Sequence, residues 1–152
     1  MPTNLLKVPH YEQEKASSCL PACARMVLAF YNHVSSETKL AKLLGTQKFG
    51  TPAPNIRRLE QLGFSVTYES GAFSLIKDYL GKNIPCLVFV QTGDLAYWQE
   101  NTAHVVVAIG IDETTIFVKD PAFEDAPKSV AVDDFLLAWS EFDYRYGIIQ
   151  PA

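Results

Sequence analysis

Cysteine is scarce in this chain: Cys19, Cys23 and Cys86 are the only three among 152 residues. An odd number, behind an N-terminus with neither a basic segment nor an apolar core, does not read as the disulfide framework of a secreted protein. Long hydrophobic runs are missing too. Nearly apolar stretches such as 105–111 fall far short of the roughly 20 residues that a membrane span needs. The chain carries 13 Lys and Arg against 17 Asp and Glu, a net charge of −4, with no basic run. Phosphate neutralisation needs clustered cations, so a nucleic-acid partner is disfavoured. No Gly/Ser-rich linker, low-complexity tract or internal repeat divides the sequence. Histidine is equally rare, three in all, which makes each one worth placing.

What is present looks like an ordinary globular protein, with 48% apolar and 20% charged residues. The length suits one domain spanning residues 1–152, which would bury about 70% of its unfolded surface. After an extended arm carrying Val8-Pro9, the apolar residues Ala22, Cys23, Met26, Val27, Phe30 and Tyr31 recur at a period near 3.6. This predicts a helix over 19–32, with Pro21 in its first turn. Ser35-Ser36 can cap a second helix ending at Gly45, and a third is expected over 54–62, stopped by Gly63. A strand at 64–68 and a short helix at 73–80 follow. The second half is richer in Val, Ile and Phe, and strands are expected at 84–90, Ala103–Ile111 and Thr115–Lys119. Residues 112–114 make a hairpin connection between the last two. A helix at 133–139 and a strand at 144–149 close the chain. Helices first and mostly antiparallel strands after them predict an α+β fold, a helical half packed on an antiparallel sheet. Trp139, Phe135, Leu136 and Leu137 read as the buried face of the late helix. Glu124, Asp125, Asp133 and Asp134 read as solvated surface.

Cys19 sits at the expected start of the first helix, after the polar run Gln13-Glu14-Lys15-Ala16-Ser17-Ser18. A helix N-terminus offers unsatisfied N–H groups and partial positive charge, and thiols so placed become nucleophiles. An inert buried thiol is the alternative. Cys23, one turn on, and Cys86, on a strand, read as core. No further Cys or His completes a metal site around Cys19 and Cys23, and helical spacing suits a disulfide poorly. Neither metal nor cofactor is expected.

A thiol nucleophile needs a base and a group to orient it. His10 lies in the arm and reads as exposed. His33 follows the first helix, about 20 Å from Cys19 at 1.5 Å rise per residue. His104 instead opens the apolar strand His-Val-Val-Val-Ala-Ile-Gly. With the hairpin turn centred near Glu113, residues whose numbers sum to about 226 face each other, so Asp120 falls opposite or diagonal to 104–106. There it can hold one ring nitrogen of His104 and aim the other at a thiol. The alternative is that Asp120-Pro121 merely starts a turn. Gln13, six residues before Cys19, can fold its amide back as an oxyanion donor beside a backbone N–H. Tyr97 and Trp98, in the polar loop 93–102, are candidates for lining a substrate cleft or for capping the core.

Gln13, Cys19, His104 and Asp120, in this order and on these elements, resemble the papain-like cysteine peptidases. More narrowly, the chain is similar to the bacteriocin-processing, double-glycine leader peptidases that usually form the N-terminal domain of ABC exporters. Residues 13–32 (QEKASSCLPACARMVLAFYN), 36–45, 104–110 and 116–122 (IFVKDPA) carry the resemblance, which spans nearly the whole chain. It implies Cys19 as nucleophile, His104 as general base and acid, Asp120 as the orienting residue, and Gln13 with the Cys19 N–H as the oxyanion hole. Two departures stand out. Ser18-Cys19-Leu20 replaces the family's usual Asp-Cys-Gly, which bears on the shape of the cleft. The chain also ends at Ala152 without membrane segments or a phosphate-binding Gly-rich Lys-Ser/Thr motif. A standalone cytoplasmic peptidase acting on a peptide or protein, with a separate transporter or other partner, is therefore expected.

Two other activities fit the same residues. A transpeptidase or acyltransferase would pass the acyl group to an amine or thiol instead of water. A catalytically silent peptide-binding module would keep the cleft without the chemistry, although retention of all four residues argues against it.

Overall fold

The computed structural model describes residues 4–124 and 127–152. Helix α1 spans Cys19–Phe30, and the chain leaves it through Asn32 in the left-handed region (φ 65°), two residues before the expected end. Helix α2, Glu37–Leu44, begins where Ser36 accepts the Lys39 N–H at 3.1 Å, as its sequence promised. It stops at Gly45 (φ 72°), where a Cβ would also meet the Arg58 guanidinium at 2.7 Å. The expected third α-helix is instead a 3-10 helix, Ala53–Leu62. Ile56 and Leu59 are its two buried residues, three apart, and at three residues per turn both face the core. Strand β1, Phe64–Ser70, follows, then helix α3, Phe73–Gly81.

Strand β2 (Cys86–Gln91) leads through a single 3-10 turn at Thr92–Asp94 and a loop into β3 (Ala103–Ile111) and β4 (Thr115–Lys119). A short strand β5, Lys128–Ala131, was not expected, because Lys-Ser-Val-Ala carries little strand propensity. It is held at the sheet edge by pairing with β4. Helix α4 (Val132–Ser140) and strand β6 (Arg145–Pro151) complete the fold. The sheet order is β1-β6-β2-β3-β4-β5, and every pairing is antiparallel. The α+β class and the helical N-terminal portion are as expected. The sheet, however, is central and covered on both faces.

On one face α1, α2 and the 3-10 helix pack Leu20, Met26, Leu40 and Ile56 against Phe89, Val105, Val107 and Ile109. On the other, α3 and α4 pack Ile76, Phe135 and Trp139 against Val88, Val106, Ala108 and Val118. Burying each such large side chain stabilises the fold by roughly 1.5–3 kcal/mol. Cys23 and Cys86 are buried as filler in one cluster each. Leu137, expected inside, is exposed, because the buried positions of α4 are Phe135, Ala138 and Trp139. Glu124, Asp133 and Asp134 are exposed as anticipated, and Asp125 lies outside the described residues. Among the described residues no helix is long and apolar enough to cross a membrane.

Candidate active site

The β3–β4 ladder contains the feature that builds this site. Near the turn, Ile111 faces Ile116 and Gly110 faces Phe117, so paired numbers sum to 227. The register then shifts between Ala108 and Gly110, and Ala108 faces Val118 with a sum of 226. The extra residue is Ile109. Without this bulge Asp120 would continue opposite Val107, on the face that packs against α1. With it, Asp120 continues opposite Val106, in the row that also holds His104. A one-residue slip exchanges the two faces of a strand, so the bulge decides whether the pair can meet.

They do meet. His104 Nε2 donates to Asp120 Oδ1 at 2.7 Å, with His104 6% and Asp120 1% exposed. The carboxylate is saturated: Oδ1 also accepts the Ala122 N–H at 2.9 Å, and Oδ2 accepts from Tyr97 Oη at 2.7 Å and Trp98 Nε1 at 2.9 Å. Tyr97 and Trp98, considered in the sequence as cleft residues, thus hold the far side of the His–Asp pair. The Trp98 ring also meets His104 edge-on at 4.8 Å. Their loop is stapled by buried Thr92, whose hydroxyl donates to the Glu100 carbonyl at 2.6 Å and accepts the Thr102 N–H at 2.9 Å. Nothing in the sequence beyond the presence of two donors near His104 signalled this arrangement.

The electrostatics follow from these contacts. Burial works against a charged His104, but hydrogen bonds to Asp120 and Cys19, with their negative charge, push its pKa up to about 9. Burial likewise opposes the Asp120 charge, and the bond from His104 with the Ala122 and Trp98 N–H groups overcomes it, holding the carboxyl below its usual range. Burial raises the Tyr97 phenol, helped by Asp120, so it stays protonated and remains a donor. Burial also raises Cys23, whose Sγ sits 3.4 Å from the Val105 carbonyl, and leaves it an inert neighbour of Cys19.

Cys19 is half-buried at the first position of α1 and lines a pocket together with His104. The pocket has a volume of about 100 Å³ and is walled by Leu20, Phe49, Phe89, Val105 and Phe142, with no Lys, Arg, Asp or Glu. Phe49 is 82% exposed, at the tip of a turn closed by reciprocal Gln47 and Gly50 backbone bonds. Gln13 is tied to the same region by its backbone, which donates to the Pro121 carbonyl at 2.7 Å. Its amide Nε2 donates to the Lys15 carbonyl at 2.8 Å and the Ala16 carbonyl at 3.3 Å. The structure thus brings Cys19, His104 and Asp120 into one chain of contacts and puts Gln13 on the loop leading to Cys19. His10, expected to be exposed, is half-buried and donates from Nε2 to the Phe123 carbonyl at 2.8 Å. His33 packs edge-on against Phe64, away from the site.

Among solved structures the chain is similar to a C39-like peptidase from Bacillus anthracis, at 13% identity and a TM-score of 0.82, covering 98% of each chain. It is similar also to a double glycine motif protease from an AMS/PCAT transporter, crystallised with the leader peptide, at 19% identity and a TM-score of 0.77 over 100% of both chains. The peptidase domain of Streptococcus ComA, a bi-functional ABC transporter of a quorum-sensing pathway, aligns at 22% identity and a TM-score of 0.77, covering 93% of this chain and 97% of that one. The fold is therefore that of these peptidase domains. No curated protein matches the chain significantly. The sequence profile of the Peptidase_C39 like family matches residues 5–149, nearly the full length, and the chain belongs to that family.

Proposed function

We propose that this chain is a cysteine peptidase that cleaves a peptide bond through a thioester on Cys19. The observation that carries the reading is the buried His104–Asp120 pair, saturated with donors and open through His104 to Cys19 in one apolar pocket. The Cys19 thiol passes its proton to His104, and the sulfur attacks the substrate carbonyl carbon, forming the S–C bond and an oxyanion. The Cys19 N–H, free of an intrahelical partner at a helix start, and one N–H of Gln13 stabilise that charge. Gln13 supplies it by releasing its longer bond to Ala16. As the C–N bond breaks, the His104 imidazolium gives its proton to the leaving amine, and a raised pKa keeps this acid charged at neutral pH. Water then adds to the thioester while His104 takes back a proton, and the carboxylic product leaves as the thiol is restored.

The substrate is a peptide or protein whose residue beside the scissile bond is uncharged, because the pocket offers no partner for a charge. The AMS/PCAT relative, a protease crystallised with a leader peptide, is a precedent for such a substrate. A transporter or other protein partner, and action in the cytoplasm, fit such a substrate. The test is a peptide-library cleavage profile of the parent and Cys19→Ala, with iodoacetamide labelling near neutral pH. Peptide products from the parent alone, with Cys19 alkylated faster than free cysteine, are expected. A parent that cuts nothing and whose Cys19 reacts no faster than free thiol would remove the reading.

A further inference from the structure

Glu37 is a carboxylate that the scheme above does not use, and its surroundings are unusual for one. It occupies the first turn of α2 yet is only 3% exposed. Oε2 accepts the Glu14 backbone N–H at 2.9 Å, across 23 residues of sequence. Oε1 is buried with no hydrogen-bond partner among the described residues. Its neighbours include Ser18 and Arg25, whose charge favours the ionised form.

Glu14 belongs to the segment that delivers the nucleophile. Two consecutive amides fasten this segment to two separate elements: Gln13 N–H to the Pro121 carbonyl, at the exit of β4, and Glu14 N–H to Glu37 on α2. From there the loop closes on itself, with Lys15 N–H and Ser18 Oγ joined at 3.0 Å and Ser18 Oγ donating to the Lys15 carbonyl at 2.9 Å. Arg25, on α1, adds a weak hold, 3.7 Å from the Glu14 carboxylate. Four residues lie between Glu14 and Cys19. Removing the Glu37 acceptor would leave a backbone N–H without its partner and leave the loop free to pivot about Pro121. The Gln13 side chain and the Cys19 N–H would then move relative to each other.

We propose that Glu37 is a positioning residue, whose carboxylate fixes the 13–18 loop so that Gln13 and the Cys19 N–H converge on the same oxyanion. The inference rests on the cysteine-peptidase reading and names a part of the machinery that lies outside the pocket. It makes a specific chemical distinction. Acylation by p-nitrophenyl acetate forms an S–C bond through an oxyanion and expels p-nitrophenolate. Alkylation by iodoacetamide forms an S–C bond by displacing iodide and develops no oxyanion. A displaced loop should slow the first reaction and spare the second.

Three forms of the full chain are compared: parent, Glu37→Met, which keeps shape but no acceptor, and Glu37→Gln, whose amide oxygen can still accept the Glu14 N–H. Glu37→Met strands the Glu14 N–H, so it should melt several degrees below the parent and remain folded at the assay temperature. Acylation of Cys19 should fall about tenfold or more in Glu37→Met, less than the roughly 10²–10³-fold for outright loss of a donor, because the donors are displaced and not removed. Its iodoacetamide rate should stay within about twofold of the parent, and Glu37→Gln should recover most of the acylation rate. The proposal is overturned if Glu37→Met acylates like the parent, if both reactions fall together, or if Glu37→Gln is as slow as Glu37→Met. Should Glu37→Met fail to fold, an unimpaired acylation rate in Glu37→Ala or Glu37→Asp would overturn it, since neither places an acceptor at Glu14. A parent acylated no faster than free cysteine would instead remove the peptidase reading on which the proposal stands.

Discussion

At the residue scale, the proton on His104 is the site's most informative quantity. Its pKa is raised to about 9 because negative partners on both sides outweigh burial. Removing one partner at a time should therefore lower it in steps. Cys19→Ala and Asp120→Asn should each bring the His104 titration, followed by NMR, down toward the free value near 6.5. A Cys19→Ala titration identical to the parent's would show that the thiol is not in electrostatic contact with the ring. The same shift makes a stability prediction. His104 binds its proton more tightly in the folded state, so its contribution is complete below about pH 6.5 and is lost as pH rises through about 9. Asp120 works in the opposite sense: its contribution is present above about pH 4 and is lost as pH falls through its lowered folded value. Denaturant midpoints should accordingly peak between these limits. Tyr97→Phe and Trp98→Phe each remove one donor from Asp120 Oδ2. Each should cost about 1–3 kcal/mol in stability, because the oxygen left behind is buried.

At the scale of elements, the site exists because the ladder passes over Ile109 instead of pairing it. Deleting Ile109 removes the extra residue and leaves Ala108 facing Val118 and Asp120 opposite Val106, so peptide cleavage and the raised His104 titration should both survive. A deletion variant whose His104 titration drops as in Asp120→Asn would mean that this register does not set the pair. This is also where legibility from sequence ends. A turn centred at Glu113 gives a hairpin sum of about 226 and places Asp120 within reach of His104. The actual turn pairs residues summing to 227, and only the bulge brings the sum back to 226 beside the site. Gly110, isolated inside a strand, is the one local hint of a bulge in Ala-Ile-Gly, and it does not say which residue is passed over. Cys19 was legible because Pro21 and the 3.6-residue period mark a helix start, a local signal. Glu37 was not, because a Glu after Ser36 reads as an ordinary solvated first-turn acid, and its burial comes from the docking of a distant loop. The roles of Tyr97 and Trp98 were hidden for a similar reason: a polar loop gives no sign of which way its donors turn.

At the scale of the molecule, the nucleophile and the His–Asp pair come from parts of the chain about a hundred residues apart, joined by the N-terminal arm as well as by the core. The arm runs along the β3–β4 end of the sheet. Leu6 N–H bonds at 2.9 Å to the carbonyl of Ile109, the bulged residue itself, while Val8 is buried in the cluster under α1. His10 and Gln13 then fasten to Phe123 and Pro121, on either side of Ala122 and directly after Asp120. The arm therefore holds both the bulge and the loop that carries the Asp120 contacts, and it ends at the nucleophile loop. Deleting residues 1–8 removes the Leu6 bond and the Val8 side chain, together worth roughly 3 kcal/mol. For a chain of this size that corresponds to a melting temperature lower by about 6–12 °C. If the arm only adds stability, activity well below the new melting temperature should match the parent's. If it also holds the register, cleavage should fall at every temperature and the His104 pKa should move down, because the bulge and Asp120 lose a shared support. We expect the second result, read from kcat at two temperatures and the His104 titration of the truncated chain; an unchanged titration with unchanged kcat would reduce the arm to a stabilising strap.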